Sequence, residues 1–91
     1  MTSDALADAE ATERGLREQI AALVHARARA AGEAHRLGER AGLPGAHAEL
    51  GELAGRYAQQ AGVLAAEIES LRTSLRAAEA ELERLRAVDG V

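Results

Sequence analysis

His25, His35 and His47 are the only side chains of this chain with an ordinary pKa near neutrality, so proton transfer or metal ligation would begin with them. Their spacing suits neither role. No two stand four apart on a helix face, and no Glu-x-x-His step supplies the carboxylate-imidazole pair of helical di-iron sites. Zinc needs three or four ligands, and the pairings His47/Arg40 and His35/Glu52 across the hairpin derived below do not assemble them. Ser3, Ser70 and Ser74 have no histidine base beside them in that arrangement, so no nucleophile is activated. There is no cysteine, which removes thiolate chemistry and disulfides, and no lysine, which removes Schiff-base chemistry. Neither a P-loop nor a Gly-x-Gly-x-x-Gly step occurs. These residues predict no catalytic residue, no metal and no cofactor.

The elements around them are strongly patterned. Gly42-Leu43-Pro44-Gly45 lies near the middle of the 91 residues, and apolar heptads run away from it on both sides. Before it the seam falls at Leu6, Ala9, Glu13, Leu16, Ile20, Leu23, Arg27, Ala30, Ala34, Leu37 and Ala41. After it the seam falls at Leu50, Ala54, Tyr57, Ala61, Leu64, Ile68, Leu71, Leu75, Ala78, Leu82 and Leu85. Spacing that alternates three and four keeps one face of each helix on a partner. If the chain folds back on itself, facing residues must have numbers of nearly constant total. Leu37/Leu50, Ala30/Tyr57, Leu23/Leu64 and Leu16/Leu71 all total 87, and Ala34/Ala54, Ile20/Ile68 and Leu6/Leu82 all total 88. The expected fold is all-α: two long antiparallel helices in one hairpin domain over 1–91, with helices 4–41 and 46–88 about a turn at 42–45. Ser3 is expected to cap the first helix, Pro44 to enter the first turn of the second, and Gly90 to end it.

Composition bounds what such a hairpin can do. The hydrophobic fraction is 47%, yet much of it is alanine, and Tyr57 is the only aromatic residue. A Leu/Ala seam between two helices offsets little of the ordering entropy, so assembly into a four-helix bundle or with a partner helix is expected. The net charge of −4, with no arginine cluster on one face, argues against a nucleic-acid groove. No stretch approaches the roughly 20 apolar residues that would cross a bilayer, so no membrane insertion is expected. An acidic start without an apolar core points to a cytoplasmic protein.

One zone stands out. Ala48, Gly51, Gly55, Ala58, Gly62 and Ala65 form a helical stripe of small residues beside the seam. Glycine inside a helix costs about 0.5–1 kcal/mol relative to alanine, so three on one stripe suggest close approach of another backbone. Val24, Ala28 and Ala31 widen the apolar face of the first helix at the same levels, and Leu53 and Val63 widen that of the second. The expected partner interface is Val24, Ala28, Ala31, Gly51, Gly55, Ala58 and Gly62. The partner is a second copy of the chain or another helical protein. Arg27 and Glu13 interrupt the seam, and Arg27 is expected to snorkel past Ala61. The expected role is a non-enzymatic structural, assembly or adaptor subunit of a larger complex.

A second reading comes from resemblance. Leu16-Arg17-Glu18-Gln19-Ile20, Leu23-Val24-His25-Ala26-Arg27-Ala28-Arg29 and Ala41-Gly42-Leu43-Pro44 are similar to the first helix and following loop of AroQ-class chorismate mutases. Arg56-Tyr57-Ala58 and the stretch 70–79 extend the likeness loosely. That resemblance implies a small helical enzyme, or a degenerate relative of one, built as an intertwined dimer that binds a dicarboxylate. It would make Arg17 and Arg27 substrate-binding residues, with Ser74 near the polar residue of the last helix. The chain departs from the family's pattern at Ala21, Gly38 and Ala78, and lacks the acidic and Arg-Glu residues that follow the loop there.

Overall fold

The computed structural model describes residues 2–89 and consists of two helices, α1 (Thr2–Ala41) and α2 (Ala48–Asp89), packed against each other along their length. It is an all-α helical hairpin, 71 Å long and 13–14 Å across. Helix α1 starts at Thr2, so Ser3 lies inside it rather than ahead of it as a cap. Gly90 lies outside the described residues. Acidic residues Asp4 and Glu49 stand in the first turns and Arg40 and Arg86 in the last, each at the helix end whose partial charge it complements.

The reversal is longer than the four residues expected, and Pro44 belongs to it rather than to α2. The amide of Gly42 donates to the carbonyls of Gly38 and Glu39, and that of Leu43 to Arg40, all at 3.2 Å, which uses three of the last four carbonyls of α1. Leu43-Pro44-Gly45-Ala46 then forms a separate turn closed by Ala46 N–H to Leu43 C=O at 3.2 Å. Gly45 has φ +79°, so this is the Pro-Gly arrangement of a type II turn, in which only the third residue needs the left-handed region. Closing that turn displaces the start of α2 to Ala48, where the Leu50 amide bonds the His47 carbonyl at 3.1 Å.

Every expected seam position is buried or half-buried except Arg27. The core proper is small: Ala30, Leu37, Ile68 and Leu82, with Ile68 and Leu82 about 1% exposed. No charged or polar residue is buried among the described residues. Among the described residues one ion pair crosses between the helices, Arg17 Nη2 to Glu79 Oε2 at 3.3 Å. In the register of the seam their Cα atoms lie roughly 13 Å apart along the axis. Helical side chains lean toward their own N-terminus. In antiparallel helices those leans oppose each other, so Arg17 and Glu79 meet between their backbones. Arg17 Nε also donates to Glu13 Oε1 at 3.3 Å, one turn back, in keeping with that lean.

Candidate functional site: a small-residue face in the middle of the hairpin

The Arg17–Glu79 bridge also fixes which residues share a flank. With Leu6 lettered a and Ala9 d in α1, and Ala54 a and Tyr57 d in α2, Arg17 and Glu79 both follow a d residue and are both e. The e positions of the two helices therefore edge one side of the seam, with the b positions beyond them, and the g and c positions edge the other. Val24 and Ala31 are e and Ala28 is b on α1; Gly51 and Ala58 are e and Gly55 and Gly62 are b on α2. The seven expected interface residues thus occupy a single flank. All seven are exposed, with Val24 at 40%.

Leu53 and Val63 do not join them. Leu53 precedes an a residue and Val63 a d residue, which puts both on the opposite flank, 38% and 63% exposed. Periodicity showed them to be apolar but did not by itself say which side of the seam they edge.

The two flanks differ in charge. Between Ala21 and Gly38 on α1 and between Ala48 and Ala65 on α2, the e and b positions hold only Gly, Ala and Val, with His35. At the same levels the opposite flank carries Arg29, Glu33, Arg36, Glu49 and Arg56. Toward the open end the e/b flank becomes charged as well, with Glu10, Arg14, Arg17, Glu69, Arg72, Arg76 and Glu79. The uncharged face is therefore bounded, about 25 Å long by the rise of α2 and about 20 Å across two helices.

Val24, Arg27, Ala28 and Ala31 line an open groove of about 270 Å³ on this face. Arg27 starts from the seam, but its side chain reaches the surface, exposed as snorkelling requires. It is the one ionic side chain at the groove. A Cβ built at Gly51, Gly55 or Gly62 would meet nothing within 4 Å. The hairpin's own packing therefore does not require glycine at any of the three.

The residues picked out for chemistry are scattered. His35 Nε2 lies 3.1 Å from Glu39 Oε1 on its own helix, rather than reaching Glu52. No group of three or more His, Asp or Glu among the described residues is placed to hold a metal ion. Arg17 is tied to Glu13 and Glu79, and Ser74 donates to the Ser70 carbonyl at 3.4 Å from the g flank, away from Arg27. Arg17 and Arg27 stand roughly 15 Å apart along α1. The three residues singled out by the chorismate-mutase likeness thus do not converge. No helix among the described residues is long and apolar enough to cross a membrane.

Compared with known proteins, the chain matches no family model, no curated protein and no solved structure.

Proposed function

We propose that this protein is a non-enzymatic assembly or adaptor subunit of the cytoplasm, acting by packing the uncharged middle face of its hairpin against a further helical surface. The observation that carries the reading is the asymmetry between flanks. A lone hairpin gains nothing from keeping charge off one side and on the other, whereas a docking face avoids the desolvation cost of buried ions. Three glycines that the hairpin does not need for its own packing support it, since helix-interior glycine persists at a cost unless another backbone comes close. The thin core supports it too, because a seam with four buried residues leaves much of the helix surface in water.

The test is retention of partners from the protein's own cells by the wild type and by Ala28→Glu, which places an unpaired carboxylate in the groove. A discrete partner set, lost with Ala28→Glu and kept with Val63→Glu on the other flank, is the expected result. Equal retention by both variants would remove the middle face from the function.

A further inference from the structure

We infer that the occupant of the middle face is a second copy of this chain, packed face to face about a two-fold axis along the hairpin so that both turns lie at the same end. This deepens the assembly reading above and rests on it. The first ground is area. A compact monomer of 9.5 kDa has about 5,000 Å² of accessible surface, whereas this chain exposes 6420 Å². The excess of roughly 1,400 Å² exceeds the ~800 Å² per partner that a standard stable interface covers. A two-fold pairing that covers that standard area removes more than half of the excess.

The second ground is self-complementarity. Two-fold interfaces bring one patch onto itself, so every residue of the patch must tolerate its own partners. An axis along the hairpin sets α1 of one copy over α2 of the other. Val24, Ala28 and Ala31 then meet the partner copy's stripe at Gly62 and Gly55, projecting side chains against bare backbone, and the contact is made twice. The other face-to-face two-fold, across the hairpin, sets glycine on glycine and Val24 over its own helix, leaving gaps. Each helix in the first arrangement is antiparallel to both neighbours, as in an up-down four-helix bundle. Arg27 is the one ionic group at this face. Opposite it the small residues Ala58 and Gly62 leave the guanidinium a path to water. The two copies of Arg27 still repel, so Arg27→Ala should tighten the pair several-fold and weaken its response to salt.

Sedimentation equilibrium of the full chain from about 1 to 200 µM tests the pairing. The expected result is a species of about 19 kDa for the wild type and for Val63→Glu, with dissociation constants at least about tenfold weaker for Ala28→Glu and Gly62→Leu. Both replaced residues are exposed in the hairpin, and helical circular dichroism verifies that each variant is folded. The absence of cysteine allows Leu43→Cys to carry a single spin label on the exposed turn. Labels within about 30 Å of each other place the turns at one end, and labels beyond about 35 Å overturn that arrangement. A folded monomer at every concentration overturns the second copy. If that monomer still retains a cellular partner that Ala28→Glu releases, the assembly reading survives; if not, both fall. A dimer indifferent to Ala28→Glu and Gly62→Leu rejects this face.

Discussion

Replacing Gly55 and Gly62 together with glutamine should have opposite effects on the hairpin and on its assembly. Both positions are exposed, and a Cβ at either meets nothing within 4 Å. Glutamine is a good helix former, so each exchange removes most of a penalty of about 0.8–1 kcal/mol that glycine carries in a helix interior. The lone hairpin should gain roughly 1 kcal/mol, or about 4–8 °C in Tm for a domain of this size. In a face-to-face pair the same side chains stand where Val24 and Ala28 of the partner copy approach. They hold the helices apart, and the added stability of assembly disappears. Urea unfolding followed by circular dichroism at 1 and 200 µM separates the two effects. The wild type should unfold at higher urea as concentration rises, because mass action stabilises the assembled state. The variant should be the more stable protein at 1 µM and should not change with concentration. A variant more stable at both concentrations, with the wild type's concentration dependence intact, would refute the reasoning. The glycines would then be tolerated passengers on a surface helix.

Three further perturbations address the hairpin itself. Ile68→Ala empties the best-buried seam site and should cost about 2–4 kcal/mol by urea unfolding, whereas Leu53→Ala, 38% exposed, should cost under about 1 kcal/mol. Equal losses at the two sites would mean that the seam is not where the stability lies. Gly45→Ala should cost about 1–2 kcal/mol from its φ of +79°, although its Cβ would meet open space; an unchanged unfolding midpoint would show that the turn is not held as a type II turn. Glu81 has its carboxyl held below the usual range, first by the hydrogen bond from Arg84 and then by that cation's charge, while desolvation opposes both. Its contribution to stability is therefore present above the ordinary glutamate range and is lost as pH falls through the lowered value. Carboxyl NMR should show Glu81 titrating below the ordinary glutamate range, and Arg84→Gln should return it to that range.

The hairpin was legible in the sequence because two independent signals had to agree. Three-and-four spacing names a face on each helix, and the constant totals of 87 and 88 align the two faces in one antiparallel register. Leu82 and Ile68, the most deeply buried side chains, both belong to that set. The turn was less legible. Pro44 suits the first position of a helix and the second position of a turn equally well, and Gly45 decides between them by taking a positive φ. Ser3 suits a cap by type, but nothing ahead of Asp4 in the sequence fixes where α1 must begin.

The candidate site was legible as a set of residues but not as a face. Sequence spacing alone ranked Leu53 and Val63 beside Val24, since all are apolar and near the seam. What separates them is the sense in which each departs from it, one step after a d residue or one step before the next seam position. That distinction acquires a direction only when a long-range contact marks one flank, and Arg17–Glu79 provides it. Once the flank is assigned, the charges sort without further input: the e/b side is uncharged for about 25 Å and the g/c side is not. The same assignment bears on the enzymatic resemblance. A dicarboxylate site needs its cations to converge, but Arg17 is spent on Glu13 and Glu79, Ser74 lies on the other flank, and Arg27 stands apart in an apolar groove. A single guanidinium among Val24, Ala28 and Ala31 is a poor receptor for two carboxylates. It is better suited to a helix-helix contact, where its stem adds apolar area and its head needs only a route to water. In the proposed pair the small residues opposite would supply that route, so one arrangement of helices would account for both the glycine stripe and the displaced Arg27.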